Sequence, residues 1–193
     1  MLQRNGYYII RGENNMTTSI REIIKQRRTI RNFNNEVISL DTIIEMLRDA
    51  TWAPNHKLRE PWRFVLFHGD GKEKLRDILL QSSDNIPSKK IEKFTQAQAN
   101  IVVIMPENTD PLKQEEDLSA VAALIQNFLL LAWENKIGVL WKTGKLIHNS
   151  SFQQSVGVGE NEKIVGILMV GKFDNVPEAQ PREDIVEKIT IID

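Results

Sequence analysis

The longest apolar run in this 193-residue chain extends from Leu118 to Trp133 and is interrupted by Gln126 and Asn127. It is shorter than the roughly 20 apolar residues that a membrane span needs, so we interpret it as a core helix. The predicted helix covers residues 114–136, is apolar over most of its circumference, and ends before Gly138. A helix of this kind must lie in the centre of a core or at a subunit interface.

The composition indicates one domain with its own core. Hydrophobic residues make up 41% of the chain and charged residues 26%, as in ordinary globular proteins. We expect residues 16–193 to form this domain and residues 1–15 to be a poorly ordered extension. Those first residues lack the apolar stretch of a secretory signal, so we expect a cytoplasmic protein with no membrane partner.

Charge and residue usage exclude several functions. The net charge of −1 argues against a nucleic-acid partner, because such binding depends on a basic face. The chain has no cysteine, which excludes disulfides, thiolate nucleophiles and cysteine-ligated metals. Its three histidines, His56, His68 and His148, are scattered along the sequence, and we therefore expect no metal site.

Hydrophobic periodicity predicts helices interleaved with strands. The first helix should bury Ile20, Ile23 and Ile24 and carry Arg27 at its C-terminal end. A second helix should run from about Leu40 to Thr51 behind the N-cap Ser39, with four inward residues: Leu40, Ile43, Ile44 and Leu47.

Strands are predicted at 63–68, 101–105, 138–144 and 163–173, with a last one possible at 185–193, and a further helix at 72–81. The acidic run Glu115–Asp117 should lie in the first turn of the long helix, where it would favour the helix dipole. Because strands and helices alternate without a regular βαβ period, we expect an α+β or mixed α/β fold with a sheet packed by helices.

A cluster of guanidiniums follows the first helix. The segment Arg27-Arg28-Thr29-Ile30-Arg31-Asn32-Phe33 combines planar donor forks with a hydroxyl, which is typical of a local anion site. Arginines at a helix end can instead cap its last carbonyls and complement the dipole. The segment alone leaves both interpretations open.

Four motifs in order resemble the FMN-dependent nitroreductase family. They are RRTIRNF at 27–33, WAPNHKLREPWRF at 52–64, GVLWKTG at 138–144 and the late VGK…QPRED at 170–184. The resemblance covers roughly residues 17 to 190 and is greatest to the small nitroreductases that carry an AP-(D/N)-HK sequence.

This resemblance implies a nitroreductase-like fold with a central mixed or antiparallel sheet flanked by helices. It also implies FMN as the cofactor, NADH or NADPH as the reductant, and ping-pong hydride transfer through flavin N5 to a small electron-poor acceptor such as a nitroaromatic, quinone or enone. The family pattern further implies a homodimer with flavin sites built at the interface by both chains.

The resemblance assigns site residues position by position. Arg27, Arg28 and Thr29 would bind the ribityl phosphate, and Arg31 would lie near the N1 and O2 edge of the ring, where a cation stabilises the reduced flavin. The remaining implied cofactor contacts are His56, Trp141, Lys142, Thr143 and Arg182. No side chain is assigned a catalytic step, because the flavin carries the chemistry.

The chain departs from the family pattern at Asn55, Leu58 and Trp52. Two other functions stay open, because the fold alone does not decide the reaction. One is a flavin-binding sensor or carrier without turnover. The other is a different flavin reaction on the same scaffold, such as dehydrogenation or dehalogenation.

Overall fold

The computed structural model describes residues 19–82 and 87–192. The expected extension, residues 1–15, lies outside this range. The described chain contains the helices α1 (Ile20–Gln26), α2 (Leu40–Ala50), α3 (Gly71–Ser82), α4 (Ser88–Gln96), α5 (Pro111–Glu134) and α6 (Ser150–Ser155), and the strands β1 (Arg63–His68), β2 (Ala99–Pro106), β3 (Gly138–Lys142) and β4 (Glu162–Gly171).

The four strands form one antiparallel sheet in the order β1-β2-β4-β3. Every β2 residue except Pro106 is buried, because helices cover both faces of the sheet. One face packs on α2 and α5, and the other packs on α3, α4 and α6. The expected α+β architecture is confirmed.

Helix α5 occupies the centre of one helical layer. Asp110 accepts a hydrogen bond from the Leu112 amide and so caps the helix, and Pro111 follows it. Among the described residues, α5 alone is long and apolar enough to cross a membrane. Its buried residues, including Leu124 and Phe128, pack instead into the core on the sheet, in agreement with the predicted core helix.

The predicted position of the acidic run is wrong. Helix α5 begins at Pro111, three residues before the predicted start, and no acidic residue lies in its first turn. Residues 115–117 consequently lie one turn further along the helix. Asp117 is buried there and bonded to Arg59.

The inward faces of α1 and α2 are narrower than predicted. Ile23, Ile43 and Leu47 are buried, as expected. Ile20 and Ile24 are instead 61% and 55% exposed, and Leu40 and Ile44 are also exposed. These short helices each turn one stripe toward α5, and their other apolar side chains stay on the surface of the single chain.

Three further predictions about elements need correction. Residues 185–188 form a 3-10 turn and 189–192 are not in a strand, because this segment is exposed and pairs with none of the four described strands. Helix α4 was not predicted, since Ile91 and Phe94 are its only buried residues. Strands β3 and β4 end two residues before their predicted ends.

Candidate functional site

The arginine segment runs along the outer edge of the sheet. Thr29 forms a parallel bridge with Val139 of β3, and the Ile30 amide donates to the Val139 carbonyl at 3.3 Å. Ile30 is buried. A Cβ at Gly138 would lie 2.6 Å from Ile30 Cβ, so the close approach requires glycine there. The core therefore fixes the positions of the residues on both sides of Ile30.

Arg28 caps helix α1. Its Nη1 donates to the Lys25 carbonyl at 2.7 Å and to the Arg27 carbonyl at 2.9 Å. These carbonyls belong to the set that a helix end leaves without an internal partner. Arg28 thus has the helix-capping role that was one of the two interpretations of the arginine cluster. Its buried Nε has no hydrogen-bond partner in the described part of the chain.

Arg27 lies at a cavity that it shares with Arg182. The cavity measures about 410 Å³ and is lined by the end of α1, Thr29 and residues of 178–182, including Glu178. Burial lowers the pKa of Arg27, and repulsion from Arg28 and Arg182 lowers it further. The guanidinium remains charged at neutral pH. An anion between Arg27 and Arg182 would relieve both costs.

A second cavity of about 500 Å³ adjoins the first. Both cavities are lined by Arg28 and Thr29, and the second extends along residues 30–33 and 174–177. The arginine segment thus offers two adjoining spaces, and the first of them contains two converging guanidiniums. This suits a ligand with an anionic end and a larger body.

Trp141 and Lys142 lie at the end of β3, beside the arginine segment. The indole of Trp141 packs over Gly166, where a Cβ would lie 2.2 Å from Nε1. That Nε1 is buried, and among the described residues it has no hydrogen-bond partner. Thr143, the next hydroxyl, follows β3 and is exposed.

Lys142 belongs to a second group of cations. Its Nζ lies 5.6 Å from the ring centroid of Phe94 on α4. Burial lowers the pKa of Lys142, and repulsion from Lys90, Lys93 and Arg31 contributes as well. Arg31 and Lys142 are therefore near enough for their charges to interact. Lys90 and Lys93 were missed because α4 itself was not predicted.

His56 lies apart from the other predicted residues of the same chain. It is in the 3-10 turn His56–Leu58, and its Nδ1 lies 3.6 Å from Glu116 Oε1 near the start of α5. Thr29 pairs with β3, just after the end of α5. These two ends of α5 are about 27 Å apart at 1.5 Å per residue. Arg27, Thr29 and Arg182 line the first cavity and Thr29 and Arg31 line the second. Lys142 lines neither cavity and interacts with this group through Arg31, and His56 lies apart.

The residues present fit FMN by their chemistry. A phosphate ester needs cations and hydroxyls at one end, which Arg27, Arg182 and Thr29 provide. The ligand's oxygens could also supply the acceptor that the buried Arg28 Nε lacks among the described residues.

Comparisons with known proteins all indicate the same family. The nitroreductase family model matches residues 24–172. The chain is 33% identical over 180 residues to the Bacillus subtilis protein named "Putative NAD(P)H nitroreductase YfhC", and the match covers 89% of this chain and 93% of that protein.

Solved structures show the same fold. The nitroreductase-like family protein of Bacillus cereus superposes with a TM-score of 0.86 at 43% identity, over 91% of this chain and 96% of that one. The FMN and NADPH-dependent nitroreductase NfnB of a Sphingopyxis strain superposes with a TM-score of 0.73 at 15% identity, over 90% of this chain and 98% of that one, which shows the fold alone. This chain belongs to the nitroreductase family and has its fold.

Proposed function

We propose that this protein is an FMN-dependent NAD(P)H oxidoreductase that reduces a small electron-poor acceptor. The proposal is supported by the relationship to YfhC, whose name is that of an NAD(P)H nitroreductase. NfnB, which shares the fold, is an FMN and NADPH-dependent enzyme. The motifs at 27–33, 52–64 and 138–144 support FMN in particular.

The observation that carries the proposal is the convergence of Arg27 and Arg182 on one cavity. Two guanidiniums that repel each other are unfavourable unless a ligand neutralises them. The phosphate of FMN is a dianion that accepts several charge-assisted hydrogen bonds. In this proposal Arg27 and Arg182 bind the phosphate, with Thr29 as a further donor, and Arg28 mainly holds the end of α1.

Arg31 and Lys142 would act at the other end of the ligand. When bound, FMN supplies two-electron exchange between NAD(P)H and the acceptor. Arg31 and Lys142 are cations that stabilise negative charge on a reduced ring, which raises its potential. Trp141 stays a predicted cofactor contact, although its Nε1 is buried against Gly166. No side chain forms a bond with the substrate in this proposal.

The site needs a second copy of the chain for His56 to contribute. Within one chain His56 lies at the opposite end of α5 from Thr29. Apolar side chains remain exposed on α1 and on the C-terminal residues 185–192, among them Ile24, Ile189 and Ile191. Such a surface is unusual for a monomer. We therefore propose a homodimer in which the partner copy supplies its His56 to the flavin site.

Anaerobic reduction tests the proposed function. Purified protein loaded with FMN should show a flavin absorbance band that NADPH or NADH bleaches, and an added quinone or nitroaromatic should restore it. Protein that binds FMN but is not bleached by either nucleotide would be a carrier or sensor, and the oxidoreductase proposal would be wrong. Protein that binds no FMN would contradict the flavin site itself.

A further inference from the structure

The loop that carries His56 has an unusual backbone. Lys57, Leu58 and Glu60 have φ values of 55°, 52° and 46°, in the left-handed region that side chains other than glycine rarely adopt. Such a conformation is unfavourable and persists only where surrounding contacts hold it. Three within four positions therefore need a strong external restraint.

Arg59 supplies that restraint from the middle of the same loop. Its Nε and Nη2 donate to Asp117 Oδ1 at 2.9 and 2.7 Å, and Nη2 also donates to Glu116 Oε2 at 2.8 Å. The fork geometry fixes the direction of the guanidinium as well as its distance. The pKa of Glu116 is lowered, chiefly by the hydrogen bond from Arg59, so this carboxylate is ionised at neutral pH.

Asp117 is the fixed end of the network. It is 2% exposed, and its second oxygen, Oδ2, accepts from Asn108 Nδ2 at 2.7 Å. Asn108 precedes α5, so Asp117 joins the loop at 54–60 to the start of the central helix. A buried carboxylate that lost its cation would be strongly unfavourable, and this makes release of the loop costly.

The side chain of Asn55 forms two hydrogen bonds with the backbone at the ends of the loop. Its Oδ1 accepts from the Glu60 amide at 3.0 Å, and its Nδ2 donates to the Ala53 carbonyl at 3.2 Å. The loop is therefore closed across its base by Asn55 and anchored to α5 by Arg59. Between these two attachments lie His56 and the exposed side chains of Lys57 and Leu58.

We propose that Arg59, Asp117 and Asn108 are positioning residues that hold this strained loop so that His56 and Leu58 are presented to the flavin site of the partner copy. This inference rests on the proposed function. Asp117 lies on α5, Asn108 just before it, and Arg59 in the loop itself. All three are far from the arginine segment and act only through the loop. They would fix which part of a neighbouring cofactor or acceptor His56 and Leu58 can reach.

Asp117→Asn tests the proposal, and Glu162→Gln is its matched control. Glu162 accepts from Arg63 Nε at 2.7 Å, so the control removes the charge of another arginine-bound carboxylate, one that does not contact the loop. Asp117→Asn should raise the Kd of FMN and lower kcat/KM, each by roughly 10- to 100-fold, as a small misplacement in a site does. Glu162→Gln should lose thermal stability and leave both constants unchanged.

A second substitution separates positioning from general stability. Glycine adopts positive φ without strain, so Lys57→Gly, at a position with φ 55°, added to Asp117→Asn should restore part of the FMN affinity. If Asp117→Asn does not fold, Arg59→Lys replaces it, because lysine keeps the charge but loses the fork. The same loss of FMN affinity in Glu162→Gln, or none in Asp117→Asn, would overturn the proposal.

Hydrogen exchange keeps this test distinct from that of the proposed function. The amides of residues 57–60 should exchange faster in Asp117→Asn than in the parent, with or without FMN. If the parent binds no FMN, the proposed function fails and so does the presentation of His56 to a flavin. If the parent binds FMN and the loop amides are unchanged, only the positioning role is wrong.

Discussion

Arg27 and Arg28 are adjacent in the sequence but have different roles in the structure. Arg28 turns back to the carbonyls of α1, whereas Arg27 faces Arg182 across a cavity. The sequence could not separate the two roles, since both residues occupy the same helix end. The path of the backbone after Gln26 determines which of the two guanidiniums lies at the cavity without capping the helix.

Lys142 gives a pH-dependent prediction. Its pKa is lowered in the folded chain by burial and by three neighbouring cations. Below that lowered pKa, its charge therefore costs the folded protein free energy. The cost disappears as pH rises through the folded pKa toward the ordinary value of 10.5. Lys142→Met should be more stable than the parent at neutral pH when both lack FMN.

That advantage should shrink as pH rises toward 10.5, and denaturant melts of both FMN-free proteins across this range measure it. Lys136→Met is the control, because Lys136 is exposed. A difference between parent and Lys142→Met that is independent of pH, or that grows in alkali, would contradict the assigned repulsion.

At the scale of elements, helices and strands with a strong hydrophobic periodicity were predicted correctly. Strand β1 and helix α3 were predicted within one residue at each end, and α5 from its apolar circumference. Helix α4 was missed because two buried residues in nine give too weak a pattern. The salt-bridge network at Asp117 could not be predicted, since it joins residues 58 positions apart that only the tertiary fold brings together.

The site residues were predicted from four motifs that occur in the order of the family pattern. The segments at 27–33 and 138–144 do adjoin in the structure, through the Thr29 and Val139 bridge. The segment at 52–64 lies elsewhere in the single chain, attached to α5. In the proposed function His56 reaches the site of a second copy, and the order of motifs in one chain cannot predict such a contact.

Gly138→Ala should loosen the arginine segment. The added methyl would overlap Ile30 Cβ, 2.6 Å away, and overpacking of this kind costs about 1–3 kcal/mol. Thermal or urea unfolding should show that loss, together with weaker FMN binding. Gly71→Ala is the matched control, because nothing lies within 4 Å of a Cβ there. Equal stability of the two variants would refute the tight contact.

At the scale of the whole molecule, the single chain leaves its C-terminal segment without a partner surface. Ile185, Val186, Ile189, Ile191 and Ile192 are all more than half exposed. The last strand predicted for this segment does not form within one chain. Both facts are expected if the segment packs on a second copy.

The double variant Ile189→Asp/Ile191→Asp should weaken the proposed dimer. Sedimentation at micromolar concentration should give the parent about twice the chain mass of 22.2 kDa, and the variant should shift toward the single-chain mass with loss of FMN. Leu80→Asp, at an exposed position on α3, should leave the mass unchanged. A parent that sediments only as a single chain and still holds FMN would exclude the shared site.

Calorimetric titration of the FMN-free protein with FMN and with riboflavin tests the central claim, which is that Arg27 and Arg182 bind a phosphate ester. The two ligands share the ring and differ in the phosphate. Riboflavin should bind roughly 100-fold more weakly than FMN, and Arg27→Ala should weaken FMN by about 1.5–3 kcal/mol while leaving riboflavin unchanged. Equal affinity of the parent for both ligands would contradict the account.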